Sequence, residues 1–180
     1  MSLLKVARMG HPVLRTRARE VERAELKKPS IQKLIDDMID TMHEYHGVGL
    51  AAPQIHERLR LFVAAIAPQN DDPLSPEDEP MVFVNPVITP VGLEMVEDWE
   101  GCLSIPDIRG RVPRARSIVV TGLDRHGGKI EIASQDFPAR VIQHETDHLD
   151  GVLFFDRMRT FATLTYLEEY GRYWAKERND

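Results

Sequence analysis

The chain has 180 residues, of which 42% are hydrophobic and 29% are charged, and its formal net charge is −6. These values are ordinary for a globular protein, and the length fits one domain, which we expect to span residues 1–180. An acidic chain is not expected to bind specific nucleic acid over its whole surface. No apolar run approaches the roughly 20 residues that span a bilayer. Residues 1–6 are too short an apolar run for a signal peptide, so we expect a cytoplasmic protein with no membrane partner.

A long helix is predicted after the charged N-terminal arm. Apolar residues recur between Ile31 and Tyr45 at three- and four-residue spacing, which places them on one face of a helix. Pro29 before this pattern and Gly47 after it suit the beginning and the end of that helix. The small residues at 47–54 then predict a loop that lies close to another group.

Strand patterns dominate the middle of the chain, at residues 59–66, 81–84, 87–95 and 118–123. Between the first two, residues 67–80 are rich in proline and acidic side chains, and we expect an exposed loop there. The glycine-bearing turn at residues 124–128 predicts a hairpin with the strand that follows it.

A second helix is predicted from Asp136, as its cap, to Gly151, where it ends. It carries an H-E-x-x-H pattern. His144 and His148 are four residues apart and share a helix face, so both imidazoles can bind one metal ion. Glu145 lies about 100° further round the helix and can reach a water molecule at that ion. An ordinary amphipathic helix with two polar histidines would give the same pattern.

The end of the chain predicts a final helix over residues 161–176, with Leu164, Leu167 and Tyr170 to Trp174 available for packing. The predicted fold class is therefore α+β. Antiparallel β-sheets would pack around a central helix that carries H-E-x-x-H, with flanking helices that include the C-terminal one.

The third metal ligand is open on these grounds. In zinc proteases with the longer pattern H-E-x-x-H-x-x-G-x-x-H, the ligand position falls on Phe154, which excludes that class. Thermolysin-like proteases use a glutamate about twenty residues after the second histidine, which here is Glu168. The third candidate is Cys102, the chain's one cysteine, which would give a Cys–His–His site with an open position for water.

Three motifs taken together resemble those of the peptide deformylase family. G-x-G-L-A-A-x-Q, E-G-C-L-S and Q-H-E-x-D-H-L occur in this order at residues 47–54, 100–104 and 143–149. The likeness extends over about residues 10–158. It implies a metal-dependent hydrolase that removes the N-formyl group from the N-terminal methionine of newly synthesised polypeptides and releases formate.

The resemblance also implies a role for each motif. Cys102, His144 and His148 would hold the metal, and Glu145 would accept and return a proton. The other two catalytic groups would stabilise the oxyanion: the side-chain amide of Gln54 and the backbone N–H of Leu103. The expected substrate-binding residues lie where a peptide would pass: Val48, Gly49, Arg109, Phe137 and Val141. Glu100 and Arg114 match a family pair that would brace the cysteine segment.

The metal and the partners follow from the same likeness. Fe²⁺ is the implied native ion, although one thiolate and two imidazoles also suit Zn²⁺, Ni²⁺ and Co²⁺. The implied partners are N-formylmethionyl nascent peptides. A transient ribosome contact would suit such an enzyme, but the mixed charges of residues 168–180 give it no support. A metal-binding module without turnover is the non-enzyme alternative, and the presence of Glu145 and Gln54 argues against it.

Overall fold

The computed structural model describes residues 3–66 and 80–175, so most of the expected acidic loop at 67–80 lies outside the described residues. Within the described ranges, no helix has the length and apolar character needed to cross a membrane. The α-helices are α1 (Arg23–Leu26), α2 (Pro29–Glu44), α3 (Asp136–Leu149) and α4 (Leu167–Tyr173). The strands are β1 (Gly49–Ala51), β2 (Leu61–Ala64), β3 (Met81–Pro90), β4 (Met95–Cys102), β5 (Ile105–Ala115), β6 (Ser117–Leu123), β7 (Lys129–Gln135) and β8 (Thr165–Tyr166).

The strands form two antiparallel sheets. The larger has the order β1-β2-β3-β6-β7, and the smaller has the order β4-β5-β8. Helix α3 lies against the larger sheet, and its buried residues include both histidines of the H-E-x-x-H pattern. The predicted α+β class is therefore confirmed.

Strand β2 shows why the larger sheet has a helix on each side. Phe62 and Ala64 pack into one core with Ile142 of α3, and Phe62 stacks on Phe83 with ring centroids 4.7 Å apart. Leu61 and Val63, which point to the opposite face, pack into a second core with the apolar stripe of α2. A strand that is buried on both faces is expected to be a continuous apolar run, as this one is.

The smaller sheet covers a third core, in which Ile105 and Val112 pack against Leu14, Leu153 and Phe154. Strands β4 and β5 form a hairpin whose turn follows Cys102. This hairpin was not foreseen, because residues 95–115 lack a clean alternation of apolar and polar side chains. The structure shows the reason: most positions of β4 are exposed or half-buried.

Three other expectations need correction. The cap of α3 is Gln135, while Asp136 has a positive φ of 55° and accepts a hydrogen bond from Arg116 at 3.0 Å. Residues 47–54 include strand β1 and the start of a 3₁₀ turn (Ala52–Ile55), so they are more than a loop. The predicted helix at 161–176 is a 3₁₀ turn (Phe161–Thr163), strand β8 and the short helix α4. The weak helix propensity of threonine and glycine fits this break.

Gly151 ends α3 where the chain passes close to its own N-terminal segment. It has a φ of +74°, and a Cβ atom here would lie 2.8 Å from the backbone carbon of Arg15. Any other residue would therefore suffer both an unfavourable backbone conformation and a collision with backbone atoms.

Gly151→Ala is expected to lower the free energy of unfolding by about 2–4 kcal/mol, the combined cost of strain and overpacking. Chemical denaturation of both proteins measures this difference. Gly10→Ala is the control, because Gly10 also has a positive φ of 102° but has no atom within 4 Å of the added Cβ. An equal loss in the two variants would show that the contact with Arg15 is not what requires glycine.

Candidate metal centre

Three potential metal ligands converge at the centre of the molecule. One ligand atom from each of Cys102, His144 and His148 lies within 4.8 Å of the others, and all three residues are buried. Among the residues that the structure describes, this is the one group of three or more such side chains that could hold a metal ion. The structure thus brings together the three ligands that the motifs predict.

Two elements of the site carry these side chains. His144 and His148 lie one turn apart on α3, with ring centroids separated by 4.9 Å. Cys102 ends β4, and its Sγ lies 3.2 Å from Nε2 of His148. A register shift between Glu100 and Cys102 turns the thiol towards the helix. Gly101 occupies the shifted position, where a Cβ atom would collide with the guanidinium of Arg109.

The donor set fits a divalent transition metal. Metal–sulfur distances of about 2.3 Å and metal–nitrogen distances of about 2.1 Å place ligand atoms within about 4 Å of one another. Nδ1 of His144 lies 2.9 Å from Oε2 of Glu100, which leaves Nε2 of this ring for the metal. Burial, the largest cause, and the neighbouring His144 lower the pKa of His148 well below its ordinary value, which favours the neutral ring, the form that can bind a metal ion.

A buried ion network holds the site elements together. Glu100 accepts hydrogen bonds from Arg114 at 2.9 and 3.0 Å and from Arg140 at 2.8 Å. Burial by itself would raise the pKa of Glu100, but Arg114 and His144 together lower it well below its ordinary range. Arg114 also donates to Asp147 at 2.5 Å, and Arg157 donates to the same carboxylate at 2.6 Å. The expected pair of Glu100 and Arg114 is therefore part of a larger network.

Arg140, like Arg157, is a member of this network that the motifs did not reveal. Its guanidinium donates to the carbonyl oxygens of Val96 and Val112, at 2.7 Å each, as well as to Glu100. It therefore ties both strands of the β4–β5 hairpin to α3. Arg140 lies four residues before His144 and thus on the same helix face, which is the one signal in the sequence that could have indicated it.

Glu145 lies beside the three ligands with one oxygen unsatisfied. Its Oε2 is buried and has no hydrogen-bond partner among the described residues. Burial, only partly opposed by the charge of His144, raises the pKa of Glu145 to about 7. A carboxylate in this state accepts and returns protons readily near neutral pH.

The site opens into a cleft of about 780 Å³, which is within the usual range for small-ligand pockets. His148 is buried behind it. All the other predicted site residues border the cleft: Val48, Gly49, Gln54, Cys102, Leu103, Arg109, Phe137, Val141, His144 and Glu145.

Gln54 is buried and points its amide at the ligands. Its Nε2 lies 3.5 Å from Sγ of Cys102 and 3.2 Å from Oγ of Ser104, while its Oε1 accepts a hydrogen bond from the N–H of Ala51 at 2.8 Å. Gln54 is therefore a buried amide and not a solvated side chain of a loop. Leu103 lies in the β4–β5 turn and packs against the α2 core.

Gly49 lies directly against the carboxylate of Glu145. A Cβ atom at Gly49 would come within 2.7 Å of the carboxyl carbon of Glu145. Strand β1 has one neighbour, β2, among the described strands, so its other edge is available beside the cleft. The absence of a side chain at Gly49 therefore leaves room for the carboxylate of Glu145 beside the backbone of β1.

Glu168, the alternative third ligand, is not brought to the site. It lies in α4 with its side chain 78% exposed, and it pairs with Arg172 at 2.7 Å. The structure therefore gives no support to the thermolysin-like alternative.

A Cys–His–His donor set, a buried carboxylate on the same helix and a deep cleft together define the class of metal-dependent hydrolases. A model of the family described as Polypeptide deformylase matches residues 3–163. Peptide deformylase 2 of a Nostoc species is 46% identical over 93% of each chain, and peptide deformylase 1 of Bordetella pertussis is 44% identical over 91% of this chain and 92% of that one.

Solved structures agree with these relatives. A class I type b peptide deformylase from Acinetobacter baumannii, bound to Met-Ala-Ser, superposes with a TM-score of 0.79 at 42% identity, over 87% of this chain and 99% of that chain. The chain belongs to the polypeptide deformylase family, whose members are metalloenzymes that remove the N-formyl group from newly synthesised polypeptides. The resemblance inferred from the three motifs is confirmed.

Arg140→Ala is expected to lower the free energy of unfolding by about 3 kcal/mol, because it removes a buried cation that pairs with Glu100 and with strand carbonyls. Chemical denaturation measures the loss. Arg116→Ala is the matched control: Arg116 also pairs with two carboxylates, but its side chain is 45% exposed, so its loss should be below about 1 kcal/mol. Comparable losses would mean that the buried network does not stabilise the fold.

Proposed function

We propose that this chain hydrolyses the C–N bond between the formyl group and the amino nitrogen of an N-terminal methionine. The observation that carries the proposal is the convergence of three ligand atoms, a buried carboxylate and a buried amide at one end of a cleft. Water supplies the hydroxyl that formate gains and the proton that the amine gains. The products are formate and a peptide with a free amino terminus.

Cys102, His144 and His148 would hold the metal ion, and Fe²⁺ is our proposal for the native ion. The donor set also accepts Zn²⁺, Ni²⁺ and Co²⁺. The chemistry that a bound ion would supply is Lewis acidity, which acidifies water and polarises a carbonyl oxygen. A thiolate ligand in a cleft open to solvent also makes the enzyme sensitive to oxidation.

Glu145 is the proposed proton carrier. Its carboxylate accepts a proton from the water that attacks the formyl carbon and then delivers it to the departing nitrogen of methionine. Two observations support this role: the free oxygen of Glu145 lies beside the ligands, and its pKa is about 7. Gly49 leaves the space in which the carboxylate sits.

Gln54 and Leu103 are the proposed donors to the oxyanion. The bond from Ala51 to the amide oxygen of Gln54 fixes the opposite, NH₂ end towards the ligands. The backbone N–H of Leu103 would be the second donor, from the turn after Cys102. Donors that are already oriented need no rearrangement as charge develops, which is why they stabilise a transition state.

The peptide is proposed to bind as an extended strand along β1, next to Val48 and Gly49. The methionine side chain would enter the apolar part of the cleft beside Phe137 and Val141, and Arg109 would lie near the peptide backbone. Phe137 is 47% exposed and Val141 is 4% exposed, as expected for the mouth and the floor of a pocket. The relative with Met-Ala-Ser bound supports a peptide ligand.

The setting of the reaction follows from its substrate. We place it where formylated chains are made, which in a bacterial cell is the cytoplasm, and we propose that residues 1–180 act as one domain, because both sheets and α3 border one cleft. A transient ribosome contact has no supporting feature among the described residues. Arg172 pairs with Glu168 and Glu169 there, while the tail from Lys176 onward lies outside them.

Glu145→Gln is expected to lower formate release from formyl-Met-Ala-Ser by at least about 100-fold, because the carboxylate that moves the proton is gone. The enzyme is prepared anaerobically, and its metal content should equal that of the unchanged protein. Glu168→Gln is the control and should alter neither quantity. Full activity in Glu145→Gln would refute the proposed mechanism, and metal loss in Glu168→Gln would favour the thermolysin-like alternative.

Cys102→Ser is expected to lower metal affinity at least tenfold, because a thiolate is replaced by a weaker ligand for borderline ions. Metal analysis after dialysis against a chelator measures the change. Ser104→Ala is the control, since Ser104 is buried in the same turn but is not a ligand. Unchanged metal retention in Cys102→Ser would exclude Cys102 from the site.

A further inference from the structure

The hydroxyl group of Ser104 is buried against the side-chain amide of Gln54. Ser104 lies in the turn between β4 and β5, is 0% exposed, and does not border the cleft. Its Oγ accepts a hydrogen bond from Nε2 of Gln54 at 3.2 Å. Ser104 is therefore too deeply buried to contact a bound peptide, but it contacts a group that is proposed to do so.

The amide of Gln54 has one orientation, because its oxygen and its nitrogen have different partners. Oε1 accepts a hydrogen bond from the backbone N–H of Ala51 at 2.8 Å, so a flipped amide would place two donors against each other. Nε2 then carries two hydrogens for two acceptors, Oγ of Ser104 at 3.2 Å and Sγ of Cys102 at 3.5 Å. The hydrogen directed at Cys102 faces the group of ligands, next to which the oxyanion would form.

The N-terminal segment fixes the backbone of both partners. It passes between the 3₁₀ turn that carries Gln54 and the β4–β5 turn that carries Ser104. The N–H of Ala7 donates to the carbonyl oxygen of Gln54 at 2.7 Å. Two residues later, the N–H of Met9 donates to the carbonyl oxygen of Ser104 at 2.8 Å. The two turns follow strands of different sheets, so these bonds hold the amide and the hydroxyl group at a fixed separation.

The last torsion of a glutamine side chain is soft, so a hydrogen bond at the oxygen alone leaves the NH₂ end free to rotate over a wide range. We propose that Ser104 is a positioning residue for the oxyanion donor: it holds one hydrogen of Nε2 so that the other is directed at the developing charge. A donor that is oriented before the reaction needs no rearrangement during it. This inference rests on the proposed function and adds a residue that acts through Gln54.

Ser104→Ala is expected to lower kcat for formyl-Met-Ala-Ser about tenfold and to change KM by less than about twofold, because the amide meets the charge in the transition state and not in the bound substrate. Metal content should equal that of the unchanged protein. Ser134→Ala is the matched control: Ser134 is also a buried serine, but it lies in β7 and does not border the cleft, so kcat should stay. An unchanged kcat in Ser104→Ala, or an equal loss in Ser134→Ala, would overturn the inference.

A double-mutant cycle separates positioning from a general weakening of the site. Gln54→Ala removes the donor itself and should lower kcat at least about 100-fold. If Ser104 acts through Gln54, adding Ser104→Ala to that variant should lower kcat by no more than about a further twofold. Losses that multiply would show that Ser104 acts on another group, which is contrary to the inference.

The mobility of the Gln54 amide provides a measurement that does not depend on turnover. In the Zn²⁺-loaded protein, ¹⁵N relaxation of Nε2 should give a lower order parameter in Ser104→Ala than in the unchanged protein and in Ser134→Ala. Equal order parameters in the three proteins would contradict the inference. If the unchanged protein released no formate while the order parameter fell in Ser104→Ala, the proposed function would fail, and the orientation of Gln54 by Ser104 would stand.

Discussion

The carboxylate of Glu100 is the group on which the rest of the site depends. It lies on β4, and it binds Arg114 of β5 and both Arg140 and His144 of α3. Burying one anion with two guanidinium groups carries a large desolvation cost, which is tolerated only when each charge is paired and hydrogen-bonded. Because the hydrogen bonds of Glu100 have fixed directions, they set both the position of the hairpin and the rotation of the His144 ring. The ligand on β4 and the ligands on α3 are therefore brought into register by one side chain.

The larger sheet supplies the rigidity that this arrangement needs. Helix α3 is held against it by a continuous core around Phe62 and Ile142, and α2 seals its other face. Strand β1 reaches the cleft at Gly49, and α3 borders it from Phe137 to Glu145. Groups that must hold their geometry during catalysis lie on the most buried part of the molecule, while the substrate meets an open strand edge.

Local patterns predicted the chemistry better than they predicted the fold around it. The spacing of His144 and His148 predicted that they share a helix face, and the motif that contains Cys102 predicted the residue that the structure places beside them. The β4–β5 hairpin could not be inferred in this way, because the burial of β4 does not alternate cleanly and its bond to α3 joins Arg140 to Glu100, which are forty residues apart in the chain. The position of Leu167 was equally hidden, since two residues of β8 and the ring of Trp99 decide it. Contacts between distant segments leave no periodic signal in either one.

The part of the cleft formed by β4 and α3 is held more firmly than the part formed by α4. The proposed metal ligands and Glu145 are buried on β4 and α3, so a change there is expected to disturb both stability and chemistry. Helix α4 packs mainly on β5 and β8 rather than on α3, and none of its residues is buried. A substitution in α4 therefore costs little free energy of folding and leaves the ligands in place. Leu167 at the start of α4 borders the cleft all the same, so this part of the cleft wall tolerates substitution better than the buried ligand set does, because sites that share no contacts respond to mutation almost independently.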